Sequence, residues 1–274
     1  MQAPALSPQP YFGLQNLWHH RFLIYKLVQR EISSRYRASL LGLLWSLVTP
    51  VLLLLVYTFI FSTVFKLRWG GAEEDSINFA LVLFVGMIVH GFFADVINRS
   101  PTLVLANVNY VKKVVFPLEV LSTVAVGSAL FQTLVQSTVL MVALLITGTE
   151  LHLSVLLLPI VMLPLVLLTL GICLFFSSVG VYLRDLSQLV GIITMVMLFM
   201  SPVFYPISAV PEHFQTVILM NPLTFIIEQA RAVVLYGESI HWFGLAVYFA
   251  ISLVVYGIGH WWFEKTRRGF ADVL

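Results

Sequence analysis

Apolar residues fill six long stretches of this chain that contain no charged residue. The stretches are residues 38–65, 76–94, 120–149, 151–183, 186–211 and 239–263. A helix that crosses a hydrocarbon core of roughly 30 Å needs about 20 apolar residues, and even the shortest stretch approaches this length. Membrane-spanning β-strands alternate apolar and polar residues, and these stretches do not. The pattern therefore predicts an all-α polytopic membrane protein.

The six stretches predict six transmembrane helices in a single domain of residues 38–274. Their expected bounds are about 40–65, 77–97, 118–147, 154–183, 189–200 and 242–263. Between spans 5 and 6, in residues 201–240, proline leaves only short apolar pieces, with interruptions at Pro202, Pro206, Pro211 and Pro222. Such pieces are tolerated at membrane depth where protein or water covers their backbone. This segment therefore predicts a re-entrant hairpin that enters from the outer face.

The residues before the first span are expected to form two parts. Residues 1–13 lack an apolar core and predict a flexible tail. Residues 14–37 predict an amphipathic helix in the cytoplasmic interface, since apolar residues recur there at spacings of three or four while Arg21, Lys26 and Arg30 face elsewhere. This helix is either a plain membrane anchor or an element that faces a partner or gates the cargo.

Composition supports a membrane protein, and the position of the charges adds an orientation. Hydrophobic residues make up 59% of the chain and charged residues 10%, against about 25% charged residues in soluble domains. When the spans are threaded from an inside N-terminus, most of the 15 Lys and Arg residues fall on the inner side. Because basic loops stay in the cytoplasm, both termini are expected to be cytoplasmic.

The sequence lacks the motifs that mark common enzyme and nucleotide-binding sites. It has no Gly-Lys pair, hence no Walker A phosphate loop, and neither His-Glu-x-x-His nor Gly-x-Ser-x-Gly occurs. The one cysteine, Cys173, excludes an intramolecular disulfide and a cysteine-based metal site. We therefore expect no catalytic residue and no metal site, and a role other than that of an enzyme.

A few polar residues in the spans are expected to bond locally. Asp95 and Arg99 are four residues apart and Glu228 and Arg231 are three apart, so each couple predicts an ion pair on one helix. His90 lies well inside span 2 and predicts a hydrogen bond between helices.

Span 3 also carries a row of polar side chains. Ser128, Gln132 and Gln136 follow one another at intervals of four and so share one helix face. Such residues either bond neighbouring helices or line a pore, and the sequence leaves both interpretations open.

Aromatic residues make up 14% of the chain and suggest a path for cargo. Tyr57, Phe61 and Phe65 form a stripe at intervals of four along the outer half of span 1. Further rings lie in span 2 and at the outer end of span 5, namely Phe92, Phe199, Phe204 and Tyr205. Aromatic rings present flat apolar faces that suit a sliding sugar chain. Packing or an interfacial aromatic belt is the alternative.

Short motifs recur in a fixed order over almost the whole chain. They are REISSRYRASLLGLLW (30–45), NVNYVKK followed by FP (107–117), YLRDL (182–186), SPVFYP (201–206), NPLT (221–224) and FADVL (270–274). With this order and topology, the chain resembles the permease subunits of type-2 ABC exporters for polysaccharides, which export O-antigen, capsule or teichoic acid.

The resemblance implies a half-transporter. Two copies would form the channel as a homodimer, and a separate ABC ATPase would hold ATP and Mg²⁺, with no cofactor and no nucleic acid on this chain. The cargo would be a lipid-linked polysaccharide such as O-antigen, moved from the cytoplasmic to the outer side of the bacterial inner membrane. The alternatives are a permease of the same fold for a drug, a lipid or an ion, and a membrane-embedded glycosyl- or acyltransferase.

The resemblance also assigns roles to residues. Residues that line the channel would be Tyr57, Phe61, Phe65, Phe92, Phe199, Phe204 and Tyr205. Residues that contact the ATPase, many of them in a coupling segment of residues 98–117, would be Arg30, Arg35, Asn107, Asn109, Tyr110, Lys112, Lys113, Arg184 and Asp185. Residues of an outer gate would be Pro206, Asn221, Pro222, Glu228 and Arg231.

Overall fold

The computed structural model describes residues 18–37, 39, 41–65, 79–112 and 116–274, and the regular structure in these residues is helical. The α-helices are α1 (Arg21–Tyr36), α2 (Leu44–Tyr57), α3 (Phe79–Arg99), α4 (Val108–Lys112), α5 (Glu119–Thr147), α6 (Leu158–Tyr182), α7 (Leu186–Phe199), α8 (Glu212–Met220), α9 (Pro222–Val234), α10 (Trp242–Thr266) and α11 (Phe270–Val273). A π-helix, Thr58–Val64, continues α2 directly. Short 3₁₀ turns cover Ser100–Thr102, Leu105–Asn107, Leu153–Leu157, Ile207–Ala209 and Arg267–Gly269.

The membrane-spanning character of the chain is confirmed. Among the described residues, five helical segments are long and apolar enough to cross a membrane, namely Leu44–Val64, Phe79–Thr102, Glu119–Thr147, Leu153–Tyr182 and Trp242–Val273. They match predicted spans 1, 2, 3, 4 and 6. The chain is thus a polytopic all-α membrane protein.

The helix of predicted span 5 is too short to cross a membrane alone. Helix α7 has 14 residues, so it is only about 21 Å long, shorter than a hydrocarbon core of roughly 30 Å. Helices α8 and α9 follow it and meet at a bend of 91°, and counting this bent pair as one span would give six. The structure therefore supports five to six crossings, and the re-entrant hairpin stays a prediction.

Helix α3 forms the centre of the bundle. Its apolar residues cover all sides, and 78% of its most apolar 18-residue stretch is buried in the protein. The corresponding share is 11% for α2 with its π-helical extension. Helices α5, α6, α7 and α9 all pack against it. Since a helix that is hydrophobic all round belongs in an interior, α3 is the core, and the outward apolar faces of α2 and α10 are left to lipid or partners.

Helices α6 and α10 form the most extensive helix pair, and two glycines let their backbones touch. A Cβ atom added to Gly171 would lie 2.6 Å from Cα of Tyr256, and one added to Gly259 would collide with the carbonyl oxygen of Gly171. Small residues allow this close approach in membrane helices, where packing rather than the hydrophobic effect drives association. The pair therefore forms a tight unit on one side of α3.

Both described ends of the chain lie at the same end of the bundle. Arg30 in α1 and the terminal helix α11 both contact α4. At this end Arg267 pairs with Glu119 and Glu264, at 3.4 and 2.9 Å. We call this the basic end, defined by Arg35, Arg99 and Arg267, and refer to the other as the opposite end.

Candidate functional site

The aromatic stripe predicted on span 1 forms a continuous ladder of rings. The ring centroids of Tyr57 and Phe61 are 6.3 Å apart, and those of Phe61 and Phe65 are 6.1 Å apart. Tyr57 and Phe61 are half-buried, whereas Phe65 is exposed. Phe61 lies on the π-helical segment and Tyr57 and Phe65 directly flank it, and π-helical turns are found frequently at functional sites. Phe61 also packs on Phe79, 5.4 Å away, so the ladder combines packing with an open surface.

A second group of rings lies where α7 ends. Phe199 and Phe204 stack with centroids 5.8 Å apart, and the hydroxyl of Tyr205 donates a hydrogen bond of 2.7 Å to the carbonyl oxygen of Phe199. Phe92, by contrast, lies in the core on α3 with 2% of its surface exposed. Within the described residues no ring contact joins this second group to the ladder, so the predicted channel residues form two separate surfaces and one buried residue.

Arg231 ties three elements together at the opposite end. Its side chain is 1% exposed and donates hydrogen bonds to Glu228 at 2.8 Å, to the carbonyl oxygen of Val82 at 3.2 Å and to that of Val203 at 3.2 Å. The predicted ion pair with Glu228 is confirmed. The two carbonyl acceptors, on α3 and in the loop after α7, were beyond the reach of local sequence spacing. Because a buried charge is costly unless it is fully bonded, this network fixes α9 against the core.

The motif NPLT builds the bend between α8 and α9. Asn221 is the N-cap of α9, since its Oδ1 accepts a hydrogen bond of 3.0 Å from the backbone N–H of Leu223, and Pro222 occupies the first helical position. Both choices are favourable at a helix start. The amide of Asn221 also donates to Ser201 Oγ at 3.0 Å. The bend is thereby attached to the segment that contains Pro206.

At the basic end, Asp95 brings two arginines together. Nη2 of Arg35 lies 3.2 Å from Oδ1 and 3.0 Å from Oδ2 of Asp95, and Nη2 of Arg99 lies 3.0 Å from Oδ2 of Asp95. Arg99 also donates to Glu31 at 3.3 Å and to Ser128 Oγ at 3.1 Å. The predicted Asp95–Arg99 pair is confirmed. In addition, Arg35 and Glu31 of α1 join it, so α1 is tied to α3 and α5.

The coupling segment lies beside this cluster. Arg30 donates a hydrogen bond of 3.0 Å to the hydroxyl of Tyr110, whose ring stacks on Phe116 at 4.5 Å. The side-chain amide of Asn107 donates a hydrogen bond of 2.8 Å to the carbonyl oxygen of Leu103, one turn earlier. These contacts hold α4 against α1 and leave its outer side open.

The remaining residues assigned to ATPase contact fall into three groups. Asn109 and Lys112 are exposed on α4, and Arg184 and Asp185 are exposed in the turn between α6 and α7. Lys113 lies outside the described residues. Arg35 is exposed as well, but its guanidinium is bonded to Asp95 within the chain. Contact of these residues with an ATPase stays a prediction.

His90 joins two helices, as expected. Its Nε2 lies 3.0 Å from the carbonyl oxygen of Thr194 on α7. The hydroxyl of Thr194 donates a hydrogen bond of 2.8 Å to Asn98 Oδ1. Sequence spacing could not find these partners, which are about a hundred residues away. Among the described residues, no group of three or more His, Cys, Asp or Glu side chains could hold a metal ion.

Comparison with known proteins identifies the family. Residues 23–235 match the family described as ABC-2 type transporter. The O-antigen export system permease protein RfbA of Klebsiella pneumoniae is 29% identical over 261 residues, which cover 94% of this chain and 97% of the relative. RfbA of Myxococcus xanthus is 27% identical over 95% of this chain and 98% of the relative. The polysialic acid transport protein KpsM of Escherichia coli is 27% identical over 84% of this chain and 88% of the relative. This chain therefore belongs to the ABC-2 type transporter family, as a transport subunit and not an enzyme.

Proposed function

We propose that this chain is the transmembrane permease of an ATP-driven exporter of a lipid-linked polysaccharide, such as O-antigen. The main support is its similarity, over nearly its whole length, to permeases named for O-antigen export. The cargo is carried from the cytoplasmic to the outer side of the bacterial inner membrane. The basic end faces the cytoplasm, in keeping with the distribution of Lys and Arg.

The energy for transport comes from a partner chain. The sequence has no Walker A motif, so ATP and Mg²⁺ are bound by a separate ABC ATPase. The coupling segment offers that partner the exposed side of α4, with Asn109 and Lys112, and the turn between α6 and α7 offers the exposed Arg184 and Asp185. Because Arg30 and Tyr110 connect α4 to α1, movement of the ATPase is passed to both elements.

Two copies of the chain complete the channel. Helix α2 and its π-helical extension are the least buried of the spans, and they carry the aromatic ladder. A ladder of rings with few charges binds sugar units weakly at many registers, which permits a long polymer to slide. The bent pair α8–α9 enters from the outer face as a re-entrant hairpin, and the buried Arg231 network fixes it as an outer gate.

The export role is tested by depleting this chain in its native cell and locating the polysaccharide. We expect full-length, lipid-linked polymer to accumulate inside while surface polymer is lost. Unchanged surface polymer would point to another cargo for the same fold. Absent or truncated polymer inside would point to a role in synthesis instead.

The ladder is tested by the double substitution Tyr57→Ala and Phe61→Ala. We expect slower export with normal assembly, because the rings contact the cargo and are only half-buried at the edge of the core. Phe65→Leu, which keeps an apolar side chain at the exposed end, is the matched mild variant. Export at the normal rate from the double variant would contradict a role of the ladder in the path. The readout is the rate at which surface polymer reappears after synthesis is induced.

A further inference from the structure

A cavity of about 290 Å³ lies between α2, α3 and α5, on the side of the bundle that carries the basic end. It begins at the ion pair of Arg35 with Asp95 and extends along α5 to Gln136. Ser128, bonded to Arg99, marks the level of the ion pair, and Gln136 is eight residues further along the helix. At 1.5 Å per residue the cavity therefore reaches about 12 Å into the membrane.

The wall of this cavity combines the rings of Trp45 and Phe92 with uncharged polar groups. Trp45 and Thr49 of α2 line one side, and Gln132 and Gln136 of α5 line another. The only charged groups among the lining residues that the structure describes are Arg35 and Asp95, and with the neighbouring Arg99 and Glu31 they form a cluster of two positive and two negative groups. A cavity with an indole face, amides and a paired charge suits a neutral, polyhydroxylated ligand. A phosphate would meet the Asp95 carboxylate and is disfavoured.

Two details show that this volume is kept open rather than filled. A Cβ atom added to Gly91, on α3 within the cavity wall, would meet no atom within 4 Å. The side-chain amide of Gln136 makes no hydrogen bond to any residue that the structure describes, although it lies near the middle of a membrane-spanning helix. The side-chain amide of Gln132, one turn earlier, donates a hydrogen bond of 3.1 Å to the carbonyl oxygen of Ser46. An open amide at this depth is costly unless something else bonds it.

We propose that this cavity is a binding subsite for a sugar unit of the exported polymer, distinct from the aromatic ladder. The subsite rests on the export function proposed above and assigns a first contact on the cytoplasmic half of the path. Trp45 stacks on the apolar face of the sugar ring, Gln136 and Thr49 bond its hydroxyl groups, and the Arg35–Asp95 pair orients the end nearest the cytoplasm. The cavity volume, close to the lower limit for small-molecule sites, fits a single unit.

The first test fills the cavity. Gly91→Leu places an apolar side chain into the open volume, and we expect export to fall about tenfold or more, since occlusion removes several contacts at once. Gly257→Leu is the matched control, because a Cβ at Gly257 on α10 also meets no atom within 4 Å but lies outside the cavity. Gly91→Ala, which adds only one carbon, is expected to export nearly as well as the native chain. Amounts of the complex with its ATPase are measured in each case.

The second test reads binding directly. In inside-out vesicles that contain the chain with its ATPase, Thr49→Cys offers a reactive thiol in the cavity, while the native Cys173 is fully buried. Labelling by a water-soluble maleimide is compared with and without lipid-linked polymer purified from the same cells. We expect the polymer to slow labelling, and Gln136→Leu to weaken this protection about fivefold, the loss expected for one hydrogen bond. Ser33→Cys, exposed on α1, should label equally with and without polymer.

The outcomes separate this subsite from the export function itself. Protection at residue 49 together with loss of export in Gly91→Leu supports the subsite. Normal export by Gly91→Leu overturns it, as does polymer that leaves labelling at residue 49 unchanged; a lipid chain or the second copy would then be the occupant. If Gly91→Leu does not assemble, the protection result for Thr49→Cys, with and without Gln136→Leu, decides alone. Failure of the export function would instead appear as normal surface polymer after depletion of the whole chain.

Discussion

Arginine holds elements together at both ends of the bundle, but the two networks are built differently. At the opposite end Arg231 is almost completely buried and bonds to backbone carbonyl oxygens of two other elements. At the basic end Arg35 and Arg99 keep 27% and 24% of their side chains exposed and share the single carboxylate of Asp95. Arg99 also donates to the carbonyl oxygen of Ala125 on α5 at 3.0 Å, whereas Arg35 on α1 is joined to α3 through the Asp95 carboxylate. Carbonyls of packed helices cannot leave, whereas exposed side chains can exchange partners. We therefore expect Arg231 to be a fixed joint and the Arg35–Asp95 pair to be the joint that opens during transport.

The largest effect is expected from Arg231→Leu, which removes the fixed joint. Breaking a buried, bonded charge costs about 3–5 kcal/mol, so the apparent Tm of the purified complex should fall steeply and the α8–α9 bend should become sensitive to protease. Glu228→Gln, at a partly exposed partner, is the matched mild variant. Equal Tm values for the two variants would show that Arg231 does not hold the bend. Arg231→Lys is expected to lie between them, because lysine lacks the planar fork of donors.

Asp95→Asn should give the next largest effect and a different kind of defect. It leaves two partly buried arginines without their shared carboxylate, at a cost of about 1–3 kcal/mol. We expect a modest fall in Tm but a clear fall in polymer exported per ATP hydrolysed, since α1 loses the Arg35 tie to α3 and keeps only the longer contact of Glu31 with Arg99. Glu31→Gln, which weakens only the 3.3 Å contact to Arg99, serves as control. A loss of stability as large as that of Arg231→Leu would contradict the distinction between the two ends.

Asn221→Ala should cost about 1 kcal/mol, the usual value of an N-cap. Asn221→Asp keeps the acceptor for the backbone N–H of Leu223 but loses the donor to Ser201. If the cap is the main contribution, the Asp variant will keep a Tm near that of the native complex and the Ala variant will not. If both variants fall equally, the bond to Ser201 is what holds the bend in place.

The smallest effect is expected from Tyr110→Phe, which removes only the hydrogen bond to Arg30. That bond is exposed, so the loss is about 0.5–1 kcal/mol, and the stacking on Phe116 is kept. Tm should hardly change, while export per ATP should fall slightly because α1 and α4 are less firmly joined. Tyr110→Ala, which also removes the ring, should show a larger fall. An unchanged export ratio in both variants would exclude this contact from coupling.

Contacts within one helix were predictable, and contacts between distant elements were not. The pairs Asp95–Arg99 and Glu228–Arg231 followed from spacings of four and three, because helical geometry alone brings such residues together. The bond of Arg35 to Asp95 joins residues 60 positions apart, and nothing local marks it. The same holds for the carbonyl partners of Arg231, which depend on how α3, α9 and the loop after α7 pack.

The polar row on span 3 shows how far sequence reasoning reaches. Its position on one face followed from the intervals of four, but its role did not. In the structure Ser128 and Gln132 bond to other elements, and Gln132 and Gln136 both line the cavity between α2, α3 and α5. Bonding between neighbouring helices is thus seen for two of the three residues, and the lining of a pore stays a prediction. The expected bounds of span 5, about 189–200, by contrast lie close to those of α7, Leu186–Phe199, because the prolines that follow end the helix.

The backbone contact between Gly171 and Gly259 has a consequence for genetic studies of this protein. Every missense change at a glycine codon adds at least one carbon, and at Gly259 that carbon would collide with the opposing carbonyl. A saturation-mutagenesis screen scored on surface polysaccharide will thus mark both positions as intolerant, alongside residues that contact cargo. Their sensitivity would report the spacing of α6 and α10, and protein abundance, scored in parallel, would separate the two causes.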